Sequence, residues 1–217
     1  MLTIHQETMT AKTFIFCHDA EIVKGCINSG RFDLFDDLRW VMLGPRDFSS
    51  IASIPGLIIA RDLPDNIEHH RNLVAWTGWY ALARNGYIQE GDIVNLFEYD
   101  VTYNQGQFRQ LPQCGYFQIP VDTVPYWQCG HNYEGHIKTL TGKGSGEFTA
   151  PMVPVTSNYT VVWTEAHLQL TLDCIAKGLT ELTYVGHVLE RAYSQHFVGI
   201  PMQAGAFNHA FANSHGF

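Results

Sequence analysis

Two carboxylates one residue apart, in Glu98-Tyr99-Asp100, close the apolar run Ile93-Val94-Asn95-Leu96-Phe97. In an extended backbone successive side chains alternate between faces, so residues 98 and 100 share one face and Tyr99 points the other way. That arrangement suits a hard divalent cation. Mg²⁺ or Mn²⁺ takes oxygen ligands, uses one or two protein carboxylates, and completes its octahedron with water and the phosphate oxygens of a substrate. The chemistry implied is that of a metal-bound diphosphate. Acidic doublets at strand ends are also common as plain solvated surface, so the tripeptide gains meaning only from the elements around it.

Those elements alternate. Thr13-Phe14-Ile15-Phe16-Cys17 is β-prone and stops at His18-Asp19, and residues 21–30 have helical character ending on Gly30. Residues 38–45 form a second strand pattern with a Gly44-Pro45 stop, and residues 56–60 a third. Strands this apolar on both faces predict a sheet covered on both sides. A polar, proline-containing turn over 62–68 precedes residues 72–85, where Leu73, Trp76, Tyr80 and Ala83 recur at helical spacing before Gly86. The first hundred residues therefore predict a parallel, Rossmann-like sheet, in which ligands collect at the carboxyl ends of strands. Cys17-His18-Asp19 and Glu98-Tyr99-Asp100 both fall on that edge and are expected to face one pocket.

Beyond residue 101 the pattern loosens. Residues 102–154 interleave glycines, prolines and aromatics, with a glycine-rich tip over 141–147, and read as an irregular functional insertion with a mobile loop. Order resumes with a strand over 159–163 and helices over 165–177 and 183–197, followed by an irregular tail over 199–217 that holds His209 and His215.

The totals exclude several classes. A chain of 217 residues with 46% apolar and 16% charged residues is globular, and one domain is expected. A net charge of −8, with thirteen scattered Lys and Arg residues, argues against a nucleic-acid partner. Five cysteines, with no Cys-x-x-Cys pair, point to neither a disulfide framework nor a structural zinc. Residues 1–13 have no secretory character and no run approaches the ~20 apolar residues of a membrane span. The expectation is a soluble, cytoplasmic protein with no membrane span, in which the sequon Asn158-Tyr159-Thr160 carries little significance.

Four segments in this order carry a resemblance: Phe14-Ile15-Phe16-Cys17-His18-Asp19, Asp65-Asn66-Ile67-Glu68, Trp76-Thr77-Gly78-Trp79-Tyr80 and Leu96-Phe97-Glu98-Tyr99-Asp100. Together they resemble nucleotide-sugar glycosyltransferases of the GT-A fold. The later pieces Ser157-Asn158-Tyr159-Thr160-Val161-Val162 and Gly186-His187-Val188-Leu189-Glu190-Arg191 look like the small transferases of capsule, lipopolysaccharide and large-virus glycan assembly. The resemblance implies an α/β fold in a single domain over 1–217, with a mixed, mostly parallel sheet flanked by helices. Residues 1–101 would form the nucleotide-sugar half, and 102–217, with the insertion 102–154, the acceptor half. Glu98-Tyr99-Asp100 takes the place of the family's Asp-x-Asp metal motif, with Glu at the first position as a departure. Asp100 is then the direct ligand, and the longer arm of Glu98 reaches the metal through water or hydrogen-bonds the sugar. Cys17, His18 and Asp19 would lie near the nucleobase and ribose, and Asn66, Glu68 and Thr77 would line the donor cleft beside Tyr99. The C-terminal tail often adds a ligand in this fold; His209 is preferred over His215, and imidazole suits Mn²⁺ better than Mg²⁺.

The activity so implied is transfer of a hexose from a nucleotide diphosphate sugar, UDP-linked by analogy, to a glycan hydroxyl, with Mn²⁺ or Mg²⁺ as cofactor. Glu190 is the candidate base that an inverting transfer requires; its structural alternative is an ion pair with Arg191 that ties its helix to a neighbour. Tyr126 and Trp127 are candidates for stacking on an acceptor sugar, whereas Trp76, Trp79 and Tyr80 read as core. His131-Asn132-Tyr133-Glu134-Gly135-His136 invites a zinc-hydrolase reading, but its histidines stand five apart rather than four. Gly142, Gly144 and Gly146 lack the Gly-Lys-Ser/Thr ending of a P-loop. Two other functions stay open: a metal-dependent hydrolase, and a non-catalytic glycan-binding module on the same fold.

Overall fold

The computed structural model describes residues 11–33, 35–103, 117–118, 123–125, 133–143, 152–154, 159–196 and 207–209. In chain order the elements are β1 (Lys12–Cys17), α1 (Ala20–Asn28), β2 (Leu38–Met42), β3 (Ile58–Ile59), α2 (Ala75–Arg84), β4 (Ile93–Glu98), β5 (Val101–Tyr103) and β6 (Phe117–Gln118). They continue with β7 (Thr123–Pro125), α3 (Tyr133–Thr141), β8 (Met152–Pro154), β9 (Tyr159–Val162), α4 (Ala166–Ala176), α5 (Val185–His196) and β10 (Phe207–His209).

Alternation along β1 explains the layers. Phe14 and Phe16 enter one core with Val41, Leu43, Val94 and Leu96, while Ile15 and Cys17 enter another with Trp40, Met42 and Phe97. The first core is covered by α2, α3, α4 and α5, the second by α1 and the short 3-10 turn Ser49–Ile51. A strand apolar on both faces needs both covers, as expected from its composition. The main sheet runs β3-β2-β1-β4-β9-β6, with β1 to β4 parallel and β9 antiparallel to both β4 and β6. The fold is thus α/β with a mixed, mostly parallel sheet.

Register is pinned by a polar ladder inside the sheet. Asn95 pairs with Thr13 on β1 and with Thr160 on β9. Its amide donates to the Thr13 hydroxyl at 2.9 Å, and the Thr160 hydroxyl donates to its carbonyl oxygen at 2.7 Å. A slip of one residue would bury three polar groups without partners and move every apolar side chain to the wrong face.

Helix α2 lies close on the sheet because Gly78 has no side chain. A Cβ there would stand 2.6 Å from Phe16 Cε1. Trp76 and Trp79 on the same helix pack with Tyr159 and Tyr193, ring centroids 4.5 to 6.5 Å apart, so these tryptophans are core, as their spacing predicts.

Three expectations need correction. The helix predicted over 72–85 is broken: a 3-10 turn, Arg71–Leu73, ends at Val74, and α2 begins only at Ala75. The stretch 102–154 is not wholly irregular, since it contributes β6 to the main sheet, the antiparallel pair β7–β8, and α3 with Ile137 and Leu140 in the core. Low apolar content and Gly135 hide α3 from periodicity. The tail contributes β10, antiparallel to β5. Tyr126, Trp127, His131, His215 and the loop tip beyond residue 143 lie outside the described residues. No helix among the described residues is long and apolar enough to cross a membrane.

Candidate active cleft

The chain from β1 moves outward through β2 and β3, and then returns to β4 on the other side of β1. Where the winding reverses, the connections leave in opposite directions and open a crevice at the carboxyl ends of β1 and β4. A cavity of about 240 Å³ lies there, lined by Phe16, Cys17, His18, Leu43, Gly44, Pro45, Glu68, Arg71, Val74, Thr77, Glu98 and Tyr99. It is smaller than the ~300–1,000 Å³ of drug-sized ligand sites, a size suited to one moiety of a larger ligand.

Of the residues expected here, Cys17, His18, Glu68, Thr77, Glu98 and Tyr99 line the cavity, and Asp19, Asn66, Asp100 and Glu190 do not. The Cys17 thiol donates to the Asp19 carbonyl at 3.4 Å, and burial pushes its pKa up to about 12, so it offers no thiolate. His18 meets Tyr99 edge-on with centroids 5.5 Å apart; burial, then the Arg46 guanidinium, lowers its pKa and favours neutral imidazole. Asp19 is the N-cap of α1, accepting from Glu21 N–H at 2.8 Å, and it pairs with Arg46. The Glu21 amide chiefly holds its pKa low.

Asn66 is a turn residue. Its amide donates to the carbonyls of Leu63 at 2.8 Å and Arg61 at 3.2 Å, and its oxygen accepts from Glu68 N–H at 3.2 Å. That turn aims Glu68, whose carboxylate accepts from Gly44 N–H at 2.6 Å and from the Thr77 hydroxyl. Glu68 and Thr77 therefore clasp the end of β2 to the first turn of α2 and shape the cleft wall.

The acidic tip differs in detail from the expected extended strand. Strand β4 ends at Glu98, and Tyr99-Asp100 form a turn into β5, although Tyr99 N–H still donates to Phe16 O at 3.2 Å. Glu98 follows the parity of Val94 and Leu96 toward the α2 and α5 side, while Tyr99 packs on the opposite core. Arg31 holds the turn by donating to the Tyr99 carbonyl at 2.9 Å. Burial, followed by the charge of Asp100, lifts the Tyr99 phenol to about 12. Asp100 thus sits just past the lining, near enough to bias both Tyr99 and His18.

Glu190 approaches the same tip from α5. Burial, then the nearby Glu98 charge, raises its carboxyl to about 8, with Arg191 opposing. Its oxygen is 3.7 Å from Arg191, whose guanidinium donates to His187 O at 2.8 Å. Both residues belong to α5, so this pair does not tie the helix to a neighbour. Pairing of β10 with β5 sets His209 opposite Val101, one residue beyond Asp100, and only its backbone is described. Among the described residues no group of three or more His, Cys, Asp and Glu side chains is gathered as a metal cage. Two carboxylates, with water and phosphate oxygens for the rest, is nonetheless the usual donor set for Mg²⁺ or Mn²⁺. The carboxylates of Glu98 and Asp100 at the tip of β4 fit a hard cation.

Six lining residues were not among the sequence candidates: Phe16, Leu43, Gly44 and Pro45, which read as strand and stop, Val74, concealed within what reads as one continuous helix, and Arg71, just ahead of it. His136 Nε2 lies 3.0 Å from the Tyr184 hydroxyl, between α3 and the segment before α5. Comparison with protein-family models, with curated proteins and with solved structures finds no match to this chain.

Proposed function

We propose that the chain is a metal-dependent glycosyltransferase of GT-A type, moving a hexose from a UDP-linked sugar to a glycan hydroxyl. The observation that carries this reading is the acidic tip of β4 in the wall of a cleft at the reversal point of a mostly parallel sheet. An antiparallel β9 beside β4 and the sequence order of the four matching segments support it further. Glu98 and Asp100 would hold Mn²⁺ or Mg²⁺, with His209 as a further donor suited to Mn²⁺. Once bound, the ion would supply Lewis-acid neutralisation of charge on the departing diphosphate.

The chain's own residues supply positioning and exclusion of water. Phe16, Leu43, Pro45 and Val74 give the cleft an apolar wall, Glu68 and Thr77 fix its shape, and neutral His18 offers a hydrogen bond without adding charge. Glu190 is outside the lining and in electrostatic reach of Glu98, which suits it to holding Glu98 rather than to touching the acceptor. Isothermal titration with UDP tests the reading: binding strengthened by Mn²⁺ is expected, and absent or metal-indifferent binding overturns it. A screen of nucleotide sugars for donor cleavage then separates a transferase from a non-catalytic glycan-binding module.

A further inference from the structure

Every described arginine but one has its guanidinium engaged. Arg31 donates to Tyr99 O, Arg61 to Gly44 O and Arg46 O, and Arg191 to His187 O. Arg39 pairs with Asp37, Arg46 with Asp19 and Arg84 with Glu165. Among the described residues Arg71 alone has a guanidinium with neither ion pair nor hydrogen bond, and it is also the cleft's one lining cation.

Its backbone, by contrast, is firmly held. Leu73 is fully buried, Asn72 donates to Thr180 O at 3.0 Å, and α5 packs so closely on the turn that a Cβ on Gly186 would lie 3.3 Å from Asn72 O. The turn then passes through Val74 at φ 52°, ψ −124°, a conformation that a β-branched residue adopts at a cost of roughly 1–3 kcal/mol. A fixed, strained turn thus delivers one uncommitted cation and one exposed apolar side chain to the mouth of a cleft whose other charged liners are Glu68 and Glu98. Glu68 is already bonded to Gly44 and Thr77.

We infer that Arg71 is the anion-recognising residue of this cleft, donating its paired N–H groups to the phosphate oxygens of a nucleoside diphosphate, with Val74 packed against the same ligand. The assignment rests on the proposed function for the nucleoside part, though not for the phosphate part. Planar, paired N–H donors match two phosphate oxygens in a way that a lysine ammonium does not. The guanidinium acts from the α2 side of the cleft, independently of the carboxylates at the β4 tip.

The test compares UDP, uridine and inorganic pyrophosphate as probes, with and without Mn²⁺, on the wild-type chain and on Arg71→Met and Arg71→Lys, with circular dichroism as the folding control. Arg71→Met is expected to weaken UDP and pyrophosphate by about ten- to a hundred-fold and to leave uridine unchanged, while Arg71→Lys recovers part of the loss. Equal weakening of uridine, or unchanged UDP and pyrophosphate binding, overturns the assignment. If the wild type binds pyrophosphate through Arg71 but neither UDP nor uridine, the anion site stands and the glycosyltransferase reading falls. If it binds none of the three, both fall.

Discussion

Glu190 on α5 lies within electrostatic reach of Glu98 on β4, and that influence defines what each can do. A carboxyl lifted to about 8 is largely neutral at pH 7, so it can donate a hydrogen bond to a neighbouring carboxylate. Because its folded pKa lies above its ordinary 4.5, the fold tolerates its neutral form: its contribution to stability is complete below about pH 4.5 and is lost as pH rises through about 8. In the metal-free protein, Glu190→Gln should therefore flatten the fall in unfolding free energy across that window, measured by urea denaturation at several pH values. The same variant separates two roles. A general base removed by this change costs ~10²–10⁴ in kcat, whereas a positioning residue replaced by an amide of the same shape should keep kcat within about ten-fold of the parent. Asp100→Ala should abolish the Mn²⁺ dependence of UDP binding and lower donor cleavage by about a hundred-fold or more, read as kcat/KM.

At the scale of elements, the cleft depends on how closely α2 approaches the sheet. Gly78 makes that approach possible, since Phe16 would be 2.6 Å from an added Cβ and Phe16 itself lines the cleft. Gly78→Ala gains ~1 kcal/mol in helix propensity and loses ~1–3 kcal/mol to overpacking. The net expectation is a change between neutral and about 2 kcal/mol of destabilisation by chemical denaturation, with weaker UDP binding because the wall moves. A stabilised variant would mean that Phe16 can turn aside without cost. The break at Val74 belongs to this scale too. Residues 72–85 keep helical apolar spacing, but the register must bend there so that Leu73 stays buried while Arg71 and Val74 reach the opening.

At the scale of the whole molecule, the cleft draws its walls from β1, β2, β4, the 3-10 turn before α2, and α2 itself. A ligand that bridges these parts binds the folded state and not the unfolded chain, so it stabilises by mass action. UDP at ~100 times its Kd with Mn²⁺ should raise Tm by roughly 5–10 °C. The rise should shrink when the metal is chelated and shrink by a similar amount with Asp100→Ala. A rise indifferent to metal would detach the nucleotide from the β4 tip.

By itself the sequence determined the parallel alternation of the first hundred residues, the placement of His18 and Glu98 on one sheet edge, and the core role of Trp76 and Trp79. Each follows from local periodicity and stop signals, which act within a few residues. Only the tertiary structure decided that Asp19 caps a helix, that Asn66 closes a turn, and that Glu68 and Thr77 clasp β2 to α2, because a carboxylate's partner is chosen by chain segments far away in sequence. The same holds for the turn at Tyr99-Asp100 and for the helix hidden in residues 133–141. Arg71 is the sharpest case: as a letter between a polar turn and a helical pattern it is ordinary surface, and it becomes a candidate ligand contact only once the six other described arginines have found their partners and it has not.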